Sequence, residues 1–146
     1  MNTPLQFGHE KLLVYRKAIE FVAWADQILE RVPKKWSVHD QLDRASTSIP
    51  LNIAEGNGKW HAPDRCRFFD IAWGSALESA AALDVIVAKR GVDAEAVWAG
   101  KLNLGEIVRM IVGLIKANDP QRTFGGNPEV DTSIGDEDQG QDKDED

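Results

Sequence analysis

The sequence predicts an all-α protein: an up-and-down antiparallel four-helix bundle over residues 1–124, followed by a disordered acidic C-terminal tail over residues 125–146. Three observations carry this expectation. Apolar residues recur at three- and four-residue steps in four stretches. Helix start and stop residues punctuate those stretches. No stretch shows the strict alternation of a half-buried strand, and short connections between four helices favour antiparallel neighbours.

The first helix is expected from about His9 to Val32, with Leu12, Tyr15, Ile19, Val22 and Leu29 as its apolar stripe. Val14, Ala18, Phe21, Ala25 and Ile28 widen that stripe enough for two neighbours, and Pro33 marks the stop. The second begins at Ser37 as N-cap, with Asp40 favouring the positive helix end, and runs to about Gly56. Pro50 lies inside it, which predicts a kink or short break near Thr47, because proline lacks the N–H and crowds the preceding turn.

Ala62-Pro63-Asp64 starts the third helix, and Lys89-Arg90-Gly91 ends it with cations and a C-cap glycine. Ala72, Gly74, Ser75, Ala76, Ser79, Ala80, Ala81 and Ala82 are small enough to let neighbouring helices approach, while Phe68, Phe69, Leu83 and Ile86 fill its two ends. The fourth helix starts at Asp93 as N-cap and carries Val97, Leu102, Gly105, Val108, Ile111, Val112 and Ile115 before Asn118-Asp119-Pro120.

The formal charge of -7 belongs to one segment. Residues 125–146 hold nine acids against Lys143, whereas the remaining 124 residues carry 16 Lys and Arg against 15 Asp and Glu. So polar and like-charged a tail cannot repay its ordering entropy. It is read as a solubilising tail or as one that covers a basic surface in competition with nucleic acid. The lone Cys66 cannot close an internal bridge, which points to a reducing compartment. No apolar signal run opens the chain and no later segment reaches the roughly 20 apolar residues of a membrane span, so a cytoplasmic protein without membrane contact is expected.

Catalytic and cofactor signatures are thin. No glutamate has a histidine three residues later, as a di-iron bundle requires, and His9, His39 and His61 fall at three different segment starts. Cys66 has a helix start and Arg65 and Arg67 beside it, yet the plainer reading is a space-filler without a base. Gly56-Asn57-Gly58-Lys59 lacks the spacing and the preceding strand of a phosphate loop and reads as a helix end and turn. No enzyme activity, cofactor or metal is therefore expected.

Segment two is the most informative. Arg44, Ser48, Asn52 and Glu55 share one arc of the helix, next to an apolar stripe of Leu42, Ala45, Ile49, Ile53 and Gly56. Arg44 and Glu55 stand three turns apart, so each is expected to find a partner on another helix or subunit, with Glu78 and Arg65 as candidates. The stripe reads as a hydrogen-bond network fixing helix register or as a partner-contact patch.

Gln41-Leu-x-Arg44-Ala-Ser-x-Ser48-Ile-Pro-Leu-Asn-Ile-Ala-Glu55-Gly-x-Gly58, followed by Ile71-Ala-x-Gly74-Ser75-x-x-Glu78, resembles the four-helix bundle proteins encoded within 23S ribosomal RNA intervening sequences. Leu12-Leu-Val-Tyr-Arg-Lys-Ala18 is similar to that family's first helix, and the likeness covers roughly residues 7–118. The resemblance implies a ring-shaped homopentamer without enzymatic activity. It also implies similarity in fold to the accessory variability proteins of diversity-generating retroelements, pentameric barrels that bind nucleic acid and a reverse transcriptase.

Two functions follow as expectations. One is an oligomeric scaffold or adaptor for a protein partner, with Arg44, Ser48, Asn52, Glu55, Ser75 and Glu78 at partner or subunit contacts. The other is an accessory protein binding RNA or DNA, with Arg16, Lys17, Lys34, Lys35, Lys59, Arg65 and Arg67 clustering in space. Trp73, where family members often carry a basic residue, and the near-neutral body both weigh against a basic groove.

Overall fold

A computed structural model describes residues 7–124, and the acidic tail expected over 125–146 lies outside the described residues. Four helices form: α1 (Leu13–Leu29), α2 (Ser37–Asn57), α3 (Ala62–Ala88) and α4 (Trp98–Asn118). Short 3-10 turns, Gly8–Lys11 and Ala94–Val97, lead into α1 and α4. Each helix packs on its two neighbours in sequence order around the bundle, and the largest interface joins α2 to α3. Among the described residues there is no strand.

The core lies where the helical period puts it, with two corrections. In α1 the buried line is Val14, Ala18, Phe21, Ala25 and Ile28, the residues expected to widen the stripe; of the stripe itself Leu29 is buried, Leu12, Tyr15 and Val22 are half-buried and Ile19 is exposed. The alanines decide this, because Ala18 and Ala25 let the neighbouring helices close on the Phe21 ring, which is fully buried. In α4 Leu104 and Ile107 are buried and Leu102 faces solvent, since Leu102 lies off the line set by Leu104, Ile107, Val108, Ile111 and Ile115. The α2 stripe of Leu42, Ala45, Ile49, Ile53 and Gly56 is buried throughout.

Pro50 breaks nothing. α2 runs uninterrupted through it, although the Ser46 carbonyl loses the N–H that Pro50 cannot supply. Ile49 and Ile53 on either side are fully buried against the bundle, and the Ser46 and Thr47 hydroxyls donate to the Asp43 carbonyl at 3.1 and 2.8 Å in the turn before it. Ser37 is the first residue of α2 and Trp36 its N-cap, which makes no side-chain cap bond. Asp93 does cap, accepting from the Ala96 N–H at 3.1 Å, but its helix begins as a 3-10 turn.

The end of α3 departs from the expected glycine cap. Arg90 takes the left-handed conformation, with φ of 65°, while its N–H donates to the Val87 carbonyl and the Gly91 N–H donates to the Ile86 carbonyl, each at 2.9 Å. This is the paired Schellman arrangement with arginine in the position glycine usually takes. Gly91 serves closeness instead: a Cβ there would stand 3.0 Å from both the Ile86 side chain and the Trp36 ring.

α3 also corrects the expectation that no segment is long and apolar enough to cross a membrane. Its mean hydropathy reaches 1.4 over an 18-residue window. The expectation counted uninterrupted apolar residues, whereas the alanine-rich average tolerates Glu78 and Asp84. Both carboxylates are exposed here, and a bilayer would have to desolvate them, while the opposite side of the helix is committed to the bundle core.

After α4 the chain turns back onto α3. Arg122 forks onto Asp70 with bonds of 3.1 and 2.8 Å, and Phe124, 2% exposed, meets the Trp73 ring edge-on at 5.4 Å. Lys116 and Arg122 both lie over the Phe124 ring. Trp73 thus packs within the protomer.

Arg90→Gly is expected to raise stability by about 0.5–1 kcal/mol, because glycine holds a left-handed conformation without the Cβ clash. Urea unfolding measures this: an unchanged or lowered midpoint would show that the arginine side chain offsets its backbone strain.

Candidate interaction surfaces

The seam between α2 and α3 gathers half of the polar stripe. The Ser75 hydroxyl donates to the Ser48 hydroxyl at 2.8 Å, and the Asn52 amide donates to that same hydroxyl and to the Ser48 carbonyl, both at 2.9 Å. Ser75 is buried while Ser48 and Asn52 are half-buried, so the three polar groups satisfy one another where water is scarce. They register α2 against α3.

The charged ends of the stripe behave differently. Arg44 pairs with Asp40 at 3.0 Å, one turn back on α2, and Glu55 pairs with Lys59 at 3.6 Å, one turn on. Within the protomer neither meets Glu78 or Arg65, because both project into solvent, where the nearest opposite charge on the same side is a helical turn away. Such exposed pairs contribute little, about 0–1 kcal/mol each. Glu78 stands exposed on the outer side of α3.

Arg65 is taken up by the fold. Its guanidinium donates to the Asn57 and Lys59 carbonyls at 3.0 and 3.1 Å and to the Asn118 side chain at 3.1 Å. One half-buried cation thereby closes the last turn of α2 and ties it to the end of α4, where a positive charge also complements the helix dipole. Beside it Gly56 lies flat against Phe69: a Cβ at Gly56 would fall 2.7 Å from that ring and 3.1 Å from the Arg65 carbonyl.

The seven candidate cations do not form one patch. Lys34 and Lys35 sit in the loop between α1 and α2, at one end of the bundle. Lys59, in the α2–α3 turn, and Arg65 and Arg67, in the first turns of α3, are the length of α2 away, which at 1.5 Å per residue is about 30 Å. Arg16, in the first turns of α1, donates to the Glu10 carbonyl at 3.1 Å. Lys17 meets Glu106 across α1 and α4 at 2.8 Å. Their hydrogen bond, with the attraction of opposite charges, holds the ammonium above its usual range and the carboxyl below its own.

Two aromatic residues outside the expected contacts stand here, Trp60 in the α2–α3 turn and Phe68 in the first turns of α3. Phe68 is half-buried under two cations, with Lys59 and Arg67 at 5.1 and 4.9 Å from its ring centre. Trp60 is 94% exposed. A large aromatic inside a Gly-Lys-x-His turn, where nothing in the chain's own pattern calls for one, is the signal that marks it. Cys66, by contrast, is closed off. Burial pushes its thiol up, against the neighbouring arginines, and the sulfur lies 3.8 Å from the Ile115 carbonyl.

Gly56→Ala is expected to cost about 1–3 kcal/mol of stability, because the Phe69 ring has no space to yield and the Arg65 backbone stands behind it. Gly113→Ala on α4, where a Cβ meets nothing within 4 Å, should instead stabilise by about 0.5–1 kcal/mol. Thermal melts of the two variants check this: equal shifts would remove the distinction between the packed and the open glycine.

The model of the family described as 23S rRNA-intervening sequence protein matches residues 10–113. Among curated proteins none matches the chain. The matched span contains all of α1, α2 and α3 and most of α4, and hence the seam, the Gly56–Phe69 contact and the Trp60 turn; the Arg122–Phe124 return lies beyond it. With the motif residues set in the helices and contacts described, the chain belongs to the 23S rRNA-intervening sequence protein family.

Proposed function

We propose that this protein is a non-enzymatic scaffold that assembles with copies of itself, five to a ring, and presents the assembly to a protein partner. The outer side of α3 carries the reading. Ile71, Leu77 and Val85 there are 45%, 44% and 44% exposed, on a helix that is apolar around most of its circumference. A helix of that kind belongs in an interior, and within one protomer only one side of it is covered.

The pattern along this side suits another helix. Gly74, Ala81 and Ala88 follow one another at seven-residue steps, flanked at the same step by Ile71, Glu78 and Val85. Small residues along such a seam permit a close approach, and a single acid within it favours one register over others. The antiparallel run and the Ser48–Ser75 contact bring Arg44 of α2 to about the level of Glu78. Its exposed pairing with Asp40 is weak enough to be exchanged for a carboxylate of a neighbouring copy. The five-fold state is the one implied by the family likeness.

Light scattering on the full chain after size exclusion should give a mass several times that of the 16.2 kDa protomer. Ala81→Arg, at a position exposed in the protomer, should lower that mass while leaving the circular dichroism spectrum and the helical fold intact. A wild-type monomer at micromolar concentration would sink the proposal, as would an Ala81→Arg variant that assembles like wild type.

A further inference from the structure

The geometry points to a binding site for single-stranded nucleic acid at the α2–α3 turn, with Trp60 as a stacking platform for an unpaired base and Lys59 and Arg67 as contacts for the flanking phosphates. The site is independent of self-association, since Trp60 is on an end turn and the α3 seam is on a side of the bundle.

Trp60 is the starting observation. Its ring is 94% exposed, so the fold gains little from it, and an isolated exposed aromatic would by itself carry no meaning. Its neighbours give it one. Lys59 precedes it and His61 follows, and the Lys59 and Arg67 side chains converge on the Phe68 ring, within 5.1 and 4.9 Å of its centre. The acids that face them are Glu55 and Asp64, at 3.6 and 3.7 Å. These separations are longer than a strong charge-assisted hydrogen bond, and both pairs are solvent-exposed, so a phosphate can displace either carboxylate.

A second feature adjoins Lys59. A shallow groove of about 590 Å³ runs between the 3-10 turn before α1 and the end of α2, lined by His9, Tyr15, Leu51, Ala54, Glu55 and Lys59. The His9 and Tyr15 rings meet edge-on at 4.7 Å on its wall. A strand of unpaired nucleotides laid from this groove onto Trp60 would meet aromatic surface at both ends and a cation between them. That is the combination by which single strands are held without sequence preference.

The polar neighbours of Trp60 favour nucleic acid over a protein partner. A tryptophan that anchors a protein interface usually sits among apolar neighbours that exclude water, whereas Trp60 stands between a lysine and a histidine. It favours a single strand over a duplex because a lone projecting ring can stack only on a base that is not already stacked on both faces.

The test uses the full chain and two fluorescein-labelled 12-nucleotide probes, oligo(U) RNA and oligo(dT) DNA, with anisotropy read at about 50 mM monovalent salt. Saturable binding of at least one probe is expected. Trp60→Ala should weaken it by about tenfold. Lys59→Ala combined with Arg67→Ala should weaken it further and flatten its dependence on salt. Light scattering of Trp60→Ala should give the wild-type mass, which separates this site from contacts between copies. Absence of binding by the full chain, or equal affinity of Trp60→Ala and wild type, would overturn the assignment. So would a fall in mass on removing Trp60, because that ring would then be covered by a second copy.

Discussion

The close approach of α2 to α3 is the constraint on which the rest of the structure depends. It is possible because Gly56 offers no side chain to the Phe69 ring, which lets the two helices meet at the turn that joins them. Their separation there leaves room for the fully buried Ile49 and Ile53 but not for another Cβ at the contact. Further along, the space between the helices suits the small Ser75 and Ala72 and the hydroxyl-to-hydroxyl bond with Ser48. A polar contact between helices is tolerable only when every member is satisfied, and the Asn52 amide completes this one.

Arg65 extends that constraint to the fourth helix. A helix ends with carbonyls that have no partner, and at the end of α2 the Arg65 guanidinium supplies donors to two carbonyls while reaching Asn118 on α4. Asn118 in turn donates to the Leu114 carbonyl at 2.8 Å, so the end of α4 is closed by the same small network. The Arg122–Asp70 fork repeats the device, fixing the residues after α4 against α3 and bringing Phe124 over Trp73. Cations that on composition alone count towards a basic surface are here partly consumed as internal fasteners. Of the others, Lys34 and Lys35 lie at one end of the bundle and Lys59 and Arg67 at the other, where Glu55 and Asp64 stand against them.

α3 links this framework to function. One side of it is the packed wall of the core, with Phe69, Ala72, Ala76, Leu83 and Ile86 buried, and the other is apolar but open. The helix therefore joins an internal requirement, close packing, to an external opportunity for association. The Trp60 turn, at the end of the same helix pair, is tied to Arg65 through the Lys59 carbonyl, next to an exposed ring of no evident use to the core.

By itself the sequence determined the number, order and approximate limits of the helices, the α2 core stripe and the family, because these follow from local periods, terminal residues and a motif that any reader of the chain can align. Only the tertiary structure decided which of two adjoining stripes on α1 faces inward, since both have helical spacing and the choice depends on how closely Ala18 and Ala25 let the neighbours come. It decided that Pro50 is carried within an unbroken helix, because burial of its flanks outweighs one missing bond, and that Arg90 rather than Gly91 takes the left-handed turn, because Gly91 is needed beside Trp36. It also decided the fate of each charge. A sequence shows that Arg44, Glu55 and Arg65 need partners, but partner choice is a matter of distance in space, and space gave Asp40 to the first, Lys59 to the second and the carbonyls of a helix end to the third.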